Sequence, residues 1–250
     1  MTLQVSHDEQ ILHAERLLEE GRKHFVAGRG DKAMQKVAEA HQLIEPAKTD
    51  AARELLLDIY LARGACALLQ GAPPSLAIYE YQRAAALFSN RTDEDGLLRA
   101  EVRIGLGIAH FQKYIRPGGS SQNLADAERE LTQALSIYRE HKKTVGCAMA
   151  LSLRGQVKLL SDPDNALIDL YEAKELFGET TPHRQVMNHL LIARHWQPYR
   201  ENDLVRIHRQ VAFKLARKTS VKLLATVIGL WGLPVDLARR VSMVPEVHFP

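Results

Sequence analysis

The sequence has little cysteine, and the two cysteines it has are typical of a protein interior. Cys66 and Cys147 are the only ones in 250 residues, and both lie in apolar stretches with helical periodicity. Two thiols are too few for the disulfide framework of a small secreted scaffold, and buried free cysteines behave as small core residues. The chain is therefore expected to fold in a reducing compartment.

The sequence also lacks a signal segment and a long apolar run. Its first ten residues, MTLQVSHDEQ, show no basic stretch followed by an apolar one. The longest apolar run, Leu223–Leu233, has 11 residues, about half of the roughly 20 that cross a bilayer. From these two absences we expect a cytoplasmic protein without a transmembrane segment.

No residue pattern in the chain is typical of catalysis, of a cofactor or of a metal site. The evenly spaced His183, His189 and His195 lie six residues apart, about 240° around a helix, whereas zinc ligands on one helix are three or four residues apart. The glycine-rich stretch Arg116–Ser121 lacks the Gly-Lys-Ser/Thr sequence of a phosphate-binding loop. No serine or cysteine lies in a nucleophile motif. We therefore expect no enzyme activity, no cofactor and no bound metal.

What the chain has instead is a repeated pattern of small residues. Glycines recur 43, 43 and 48 residues apart, and each is followed by two alanines that are seven residues apart, with a bulky residue midway between them. The glycines are Gly21, Gly64, Gly107 and Gly155; the alanine pairs are Ala33 and Ala40, Ala77 and Ala84, Ala127 and Ala134, Ala166 and Ala173; the bulky residues are Val37, Tyr81, Leu131 and Leu170. Helices approach to roughly 8–10 Å, and small side chains allow the shortest crossings. The pattern therefore predicts four helix pairs.

The predicted fold is an all-α solenoid. A single helix pair cannot bury its apolar face, so neighbouring pairs are expected to stack around a shared core. Residues 1–181 are predicted to form this array. Residues 182–250, where the glycine–alanine pattern stops, are predicted to add helices, including 220–230 and 234–241, that cap its end. In the third pair the longer spacing from glycine to alanine predicts about eight inserted residues in a ten-residue turn, YIRPGGSSQN.

The spacing of the glycine, the two alanines and the bulky residue resembles the tetratricopeptide repeat superfamily. The resemblance covers roughly residues 10–178, but the repeats are degenerate, with a period of 43–48 residues instead of about 34. It implies a right-handed superhelix of helix pairs, with the first helices lining a groove for a peptide or an amphipathic helix. The implied function is a non-enzymatic protein–protein interaction module, that is, a scaffold or adaptor. A related alternative is the sensory arm of a regulator, which would bind a small peptide.

Carried over position by position, the resemblance assigns partner contacts to one flank of each first helix. These predicted groove residues are Leu18, Arg22, Phe25, Leu61, Ala65, Leu68, Ile104, Ile108, Phe111, Gln156 and Leu159. The set is strongly apolar, and the Lys/Asn/Arg clamp that some family members use for a terminal carboxylate is missing. The alternative interpretation is that these residues form the core, or that the chain occupies its own groove.

The charge of the chain is uneven. Residues 182–250 carry 11 Lys and Arg and 4 Asp and Glu, a net charge of +7, whereas the rest of the chain carries −4. The sequence around residues 202–222 predicts an apolar helix face of Leu204, Ile207, Val211 and Leu215, and a basic surface of Arg206, Arg209, Lys214, Arg217, Lys218 and Lys222. This surface is either the solvated side of a packed helix or a contact for an acidic protein, an anionic membrane surface or nucleic acid. Nucleic-acid contact would make the protein a basic adaptor or regulator.

Overall fold

The chain is helical throughout the part that the computed structural model describes, residues 7–44, 49–88, 96–178 and 181–218. The α-helices are α1 His7–Val26, α2 Gly30–Ile44, α3 Asp50–Leu69, α4 Pro74–Ala86, α5 Gly96–Ile115, α6 Ser121–Glu140, α7 Thr144–Lys158, α8 Pro163–Phe177, α9 Pro182–Trp196 and α10 Asn202–Lys218, with one 3-10 turn at Gln197–Tyr199. No strand occurs in the described ranges, so the all-α prediction is confirmed there. The predicted helices at 220–230 and 234–241 lie outside the described residues.

Consecutive helices contact one another within two compact units, whose described residues are 7–123 and 124–218. In the first unit each helix from α1 to α5 contacts the next, and α3 also contacts α1 and α5. In the second unit α7, α8, α9 and α10 contact one another in order, and α7 also contacts α9. Contacts between every second helix are those that stacked pairs require. The predicted boundary after residue 181 falls inside the second unit, and the division into array and cap stays a prediction.

Three of the repeat glycines lie under the bulky residues that follow them. An added Cβ atom would lie within 3 Å of a side-chain carbon in three of the pairs: at Gly21 it would be 2.9 Å from Val37, at Gly64 2.7 Å from Tyr81 and at Gly155 2.8 Å from Leu170. These distances are shorter than van der Waals contact, so a larger residue would force the helices apart. All eight repeat alanines are 0% exposed. The small residues thus mark helix crossings, as the pattern predicts.

Tyr81 contacts a second glycine that the repeat pattern does not predict. Its ring lies against Gly64 of α3 and against Gly105 of α5, where an added Cβ would overlap the ring. The ring is 1% exposed, and its burial raises the pKa of the hydroxyl well above the usual value. One side chain of α4 therefore fixes two first helices, and it joins the second helix pair to the start of the third.

An ion pair lies next to the glycine contact in three of the four helix pairs. It joins the residue before the glycine to the residue before the bulky one, and we call these the hairpin ion pairs. They are Glu20–Lys36 at 3.3 Å, Arg63–Glu80 at 2.8 Å and Arg154–Asp169 at 2.7 Å. The charges are reversed in the first pair. In the third, the sequence places Leu106 before the glycine, so the same bond cannot form there.

The turn of the third pair is shorter than predicted. Helix α5 continues to Ile115 and α6 begins at Ser121, so five residues separate them and the extra residues lengthen both helices. Gly119 permits the tight turn, since an added Cβ would overlap the carbonyl oxygen of Tyr114. At the start of α6 the backbone N–H of Ser120 donates to Asn123 Oδ1 at 3.2 Å, and the Asn123 N–H donates to the Ser120 carbonyl at 2.9 Å. This reciprocal cap starts the helix inside the predicted ten-residue turn.

The two cysteines are core residues, as predicted. Cys66 and Cys147 are both buried and free. Burial raises the pKa of the Cys66 thiol to about 12, so almost none of it is the reactive thiolate near neutral pH.

Replacing Ala84 with leucine is expected to lower the free energy of unfolding by about 1–3 kcal/mol, because the buried crossing has no room for a branched side chain. Ala85→Leu is the matched control, because Ala85 is the adjacent residue of α4 and is exposed. It should stay within about 0.5 kcal/mol of the wild type. Urea unfolding followed by circular dichroism measures both. Equal midpoints for the two variants would show that the crossing lies elsewhere.

Removing the guanidinium of Arg154 is expected to destabilise the second unit, because the buried Asp169 carboxylate, 5% exposed, loses its bidentate partner and keeps only the Lys158 ammonium at 3.2 Å. The expected loss for Arg154→Met is about 1–3 kcal/mol. The control is Arg139→Met, since Arg139 bonds Glu172 at 2.6 Å with both side chains exposed. Its loss should be under about 1 kcal/mol. Urea midpoints compare the two, and a larger loss in the control would contradict the role given to burial.

Candidate functional site

The structure places most of the predicted groove residues in the interior. Eight of them are between 1% and 8% exposed: Leu18, Phe25, Leu61, Ala65, Leu68, Ile104, Ile108 and Phe111. Their burial is what the core alternative predicts, because side chains this covered leave a partner almost nothing to contact. Arg22, Gln156 and Leu159 are half-buried, and Arg22 donates to Asp58 Oδ2 at 3.1 Å. A role in partner binding stays a prediction for these three.

The structure describes the side chains of three of the six predicted basic residues. Arg206 and Lys214 are exposed on α10 and Arg209 is half-buried, while the side chains of Arg217, Lys218 and Lys222 lie outside the described residues. Arg206 also donates to Asp203 at 3.0 Å. The basic residues therefore include an exposed pair of cations on one helix.

The predicted apolar face of α10 does not form its buried side: Leu204, Val211 and Leu215 are half-buried. Ile207 is 49% exposed, and the buried residues of the helix are Val205, His208, Ala212 and Ala216. The two alanines pack with Val186 and Leu190 of α9. Small residues allow the closer helix approach, so the alanine face turns inward and the isoleucine faces outward.

A row of three polar side chains crosses the interior of the second unit. His189 Nδ1 of α9 lies 2.8 Å from His208 Nδ1 of α10, and the His208 Nε2 lies 3.4 Å from the hydroxyl of Tyr171 on α8. Both imidazoles are buried. Burial lowers the pKa of His189 to about 4, with further contributions from His208 and Lys174, and burial followed by Lys174 lowers the pKa of His208.

The hydrogen bonds of this row indicate a structural role. Two neutral imidazoles can share one N–H···N bond, in which one ring donates and the other accepts. Within the described ranges no cluster of three or more metal-ligating side chains occurs. The six-residue spacing predicts solvated or capping histidines, and this is wrong for two of them, His195 and His189, which are buried. For His189 the apolar helix neighbours Val186, Leu190 and Ile192 were the available signal for burial.

A cavity of about 640 Å³ lies in the second unit where three helices begin or end, and we call it the α9 cavity. It is lined by Leu159, Pro163, Arg194, His195, Gln197, Pro198 and Tyr199. Leu159 follows the last residue of α7, Pro163 opens α8, and Arg194 and His195 lie in the last turn of α9. The cavity falls within the size range of sites for small ligands.

Aromatic rings form one wall of the α9 cavity. The His195 and Tyr199 rings have centroids 5.3 Å apart and planes at 33°, and the Trp196 ring meets His195 edge-on at 4.9 Å. His195 is 5% exposed, and its Nδ1 has no hydrogen-bond partner among the described residues. Burial lowers the pKa of this imidazole, although the Asp164 carboxylate acts in the opposite direction.

The sequence pattern does not predict this cavity, although Leu159 of its lining is a predicted groove residue. His195 is one of the three evenly spaced histidines, but no pattern in the sequence links it to Leu159. The signal in the sequence is the cluster RHWQPY, residues 194–199, which places a cation, three rings and a proline within six residues. Nothing local indicates that the ends of α7 and α8 meet it.

Lowering the pH from 7 towards 4 is expected to destabilise the second unit through His189. Its pKa is about 4 in the folded chain against 6.5 for an ordinary histidine, so between these values the unfolded chain binds the proton that the folded chain excludes. Stability is therefore lost as the pH falls below about 6.5, and the loss levels off near pH 4. Urea midpoints at pH 7 and pH 4.5 measure the effect.

His189→Gln is expected to reduce the difference between these two midpoints, because glutamine fills a similar space without titrating. His13→Gln, at an exposed position of α1, is the control and should keep the pH dependence of the wild type. The same dependence in both variants would exclude His189 as its source.

No helix in the described part of the chain combines the length and the apolar character needed to cross a membrane. No family model and no curated protein matches the sequence. The fold is similar to the crystal structure of BtubC (BKLC) from P. vanneervenii, with a TM-score of 0.60 and 16% sequence identity, over 87% of this chain and 94% of that chain. At this identity, the likeness shows a shared helical fold.

Proposed function

We propose that the protein is a non-enzymatic protein–protein interaction module, a scaffold or adaptor whose helix pairs form a right-handed superhelix of the tetratricopeptide type. The repeated crossing of paired helices supports the proposal more than any other observation. Glycine and alanine contacts close the helix pairs, Tyr81 also contacts the next first helix, and arrays of this kind offer extended surfaces to partners. The fold that the chain shares with BtubC (BKLC) supports the architecture on which the proposal depends.

The partner is a peptide or an amphipathic helix that contacts the half-buried residues of the first helices. In the second unit these are Gln156 and Leu159, one turn apart at the end of α7. Gln156 has both a donor and an acceptor for a peptide backbone, and Leu159 continues the apolar surface into the α9 cavity. In the first unit the half-buried contact residue is Arg22 of α1, and the buried groove residues of α1, α3 and α5 fix the helices around it.

A photo-crosslinking residue at Gln156 is expected to label a partner protein in an extract of the source cell. The amide position is half-buried on a first helix, where the superhelix places its partner. The control is the same crosslinker at Ile168, which is 63% exposed on α8. Mass spectrometry of the crosslinked bands should show the partner at least fivefold enriched at Gln156. Equal labelling at both positions, or labelling at neither, would contradict a partner on this surface.

The exposed Arg206 and Lys214 favour a second candidate, a basic adaptor that contacts nucleic acid through α10. Cations that neutralise phosphates release counterions, so binding of this kind weakens steeply with salt. Titration of labelled duplex and single-stranded nucleic acid at rising salt separates the basic adaptor from the interaction module. Absence of binding at low salt would exclude the basic adaptor. A sensory arm of a regulator would use the first helices and differ in its ligand, a small peptide.

A further inference from the structure

We propose that the face shared by the first helices α3 and α5 binds a lysine side chain of the partner peptide, and that Glu101 of α5 is the carboxylate that pairs with it. The inference rests on the proposed interaction module and adds the chemistry of its partner in the first unit. It depends on three groups that lie close together there: the carboxylates of Asp58 and Glu101 and the hydroxyl of Tyr81.

Glu101 is a half-buried carboxylate without a partner. Among the described residues no hydrogen bond or ion pair reaches its side chain, whereas Asp58 accepts a bond from Arg22 of α1 at 3.1 Å. Burial, followed by the charge of Asp58, raises the pKa of Glu101 to about 7. A carboxylate that loses water without gaining a cation carries a free-energy cost, and a cation from another molecule would lower it.

The hydroxyl of Tyr81 is the second group without a partner. The side chain is 1% exposed, and its oxygen accepts or donates no hydrogen bond among the described residues. The ring carbon that bears the oxygen lies against Gly64 of α3 and Gly105 of α5, so the hydroxyl points into the gap between these helices. Glu101 precedes Gly105 by one turn and therefore lies on the same side of α5. Burial, then Cys66 and Glu101, raises the pKa of Tyr81.

An ammonium group fits these acceptors better than a metal ion does. Lysine presents three N–H donors from one atom, which matches the two carboxylates and the phenol oxygen. A carboxylate offers about four lone pairs, so Asp58 can accept from the ammonium as well as from Arg22. A calcium ion takes roughly 6–8 oxygen ligands, and the described ranges hold no cluster of three or more metal-ligating side chains.

The matched probes are acetyl-Leu-Lys-Leu-amide and the same peptide with Nε-acetyl-lysine, titrated with the full chain at pH 8 by saturation-transfer NMR. The lysine peptide is expected to bind at least fivefold more tightly, because acetylation removes the positive charge. Glu101→Gln should abolish this difference with an unchanged circular dichroism spectrum. Glu140→Gln is the matched control, since Glu140 is exposed at the end of α6 and its replacement removes the same charge, and it should keep the difference.

Tyr81→Phe is the second variant, because phenylalanine keeps the ring between the two glycines and removes the hydroxyl alone. It is expected to weaken the lysine peptide at least twofold. Equal binding of the two peptides to the wild type, a difference that survives Glu101→Gln, or wild-type affinity in the Tyr81 variant would each overturn the proposal.

Lowering the pH from 8 to 6 is expected to weaken the lysine peptide at least threefold. Glu101, with its pKa of about 7, takes up a proton over this range while lysine stays charged. Asp58 of α3 and Tyr81 of α4 face Glu101, Arg22 of α1 contacts Asp58, and Glu54 lies one turn before Asp58. Glu101→Gln should remove the pH dependence and the control variant should keep it. The same dependence in Glu101→Gln and in the wild type would overturn the role given to this carboxylate.

Failure of the lysine site can be distinguished from failure of the proposed function. Crosslinking at Gln156 reports on a partner in the second unit, whatever charge that partner carries. A partner crosslinked there, without any preference for the lysine peptide, would overturn the lysine site alone. Absence of both crosslinking and peptide binding would also remove the interaction module.

Discussion

Close approach of paired helices is the constraint on which the rest of the structure depends. A glycine under a bulky side chain lets two backbones approach, and alanines one turn above and below keep the crossing narrow. Glycine weakens a helix by about 1 kcal/mol relative to alanine, so its repeated use needs a compensating gain in packing. Tyr81 shows that gain most clearly, because its ring is held by glycines of two successive first helices. The contact that closes one pair thus also stacks the next.

The hairpin ion pairs help to fix the register of the two packed helices. Arg63–Glu80 and Arg154–Asp169 each bury a carboxylate almost completely, and such a pair gains little over an apolar one because both charges lose water. A shifted register of the two helices would, however, leave a buried charge without its partner, and this costs much more free energy. The ion pair therefore favours one register over the shifted ones. The reversed pair Glu20–Lys36 supports this view. The position keeps opposite charges while the residues exchange sides, so the interaction matters more than which helix carries the cation.

The sequence predicts the helices well because each depends on local signals. The small-residue spacing locates the pairs, and prolines or glycines at Pro74, Pro163 and Gly28 fall at helix ends. Which face turns inward is predicted less well, since apolar periodicity defines a face without showing what covers it. Ile207 belongs to the apolar pattern of α10 and is exposed, whereas the apolar groove residues, for which both a groove and a core were predicted, are buried. The α9 cavity could not be predicted, because it forms where the ends of three helices meet.

The cavity lies where the repeat constraint ends, and this position has a physical explanation. Beyond α8 the glycine–alanine pattern stops, and polar side chains enter the interior beside the alanines of α10. Asn188 donates to the Leu170 carbonyl at 2.7 Å, and His189 pairs with His208 in the same interior. Such groups need specific partners and cannot slide to fill gaps as aliphatic side chains do. Space therefore remains at the ends of α7, α8 and α9, where the side chains no longer have to maintain a repeat crossing.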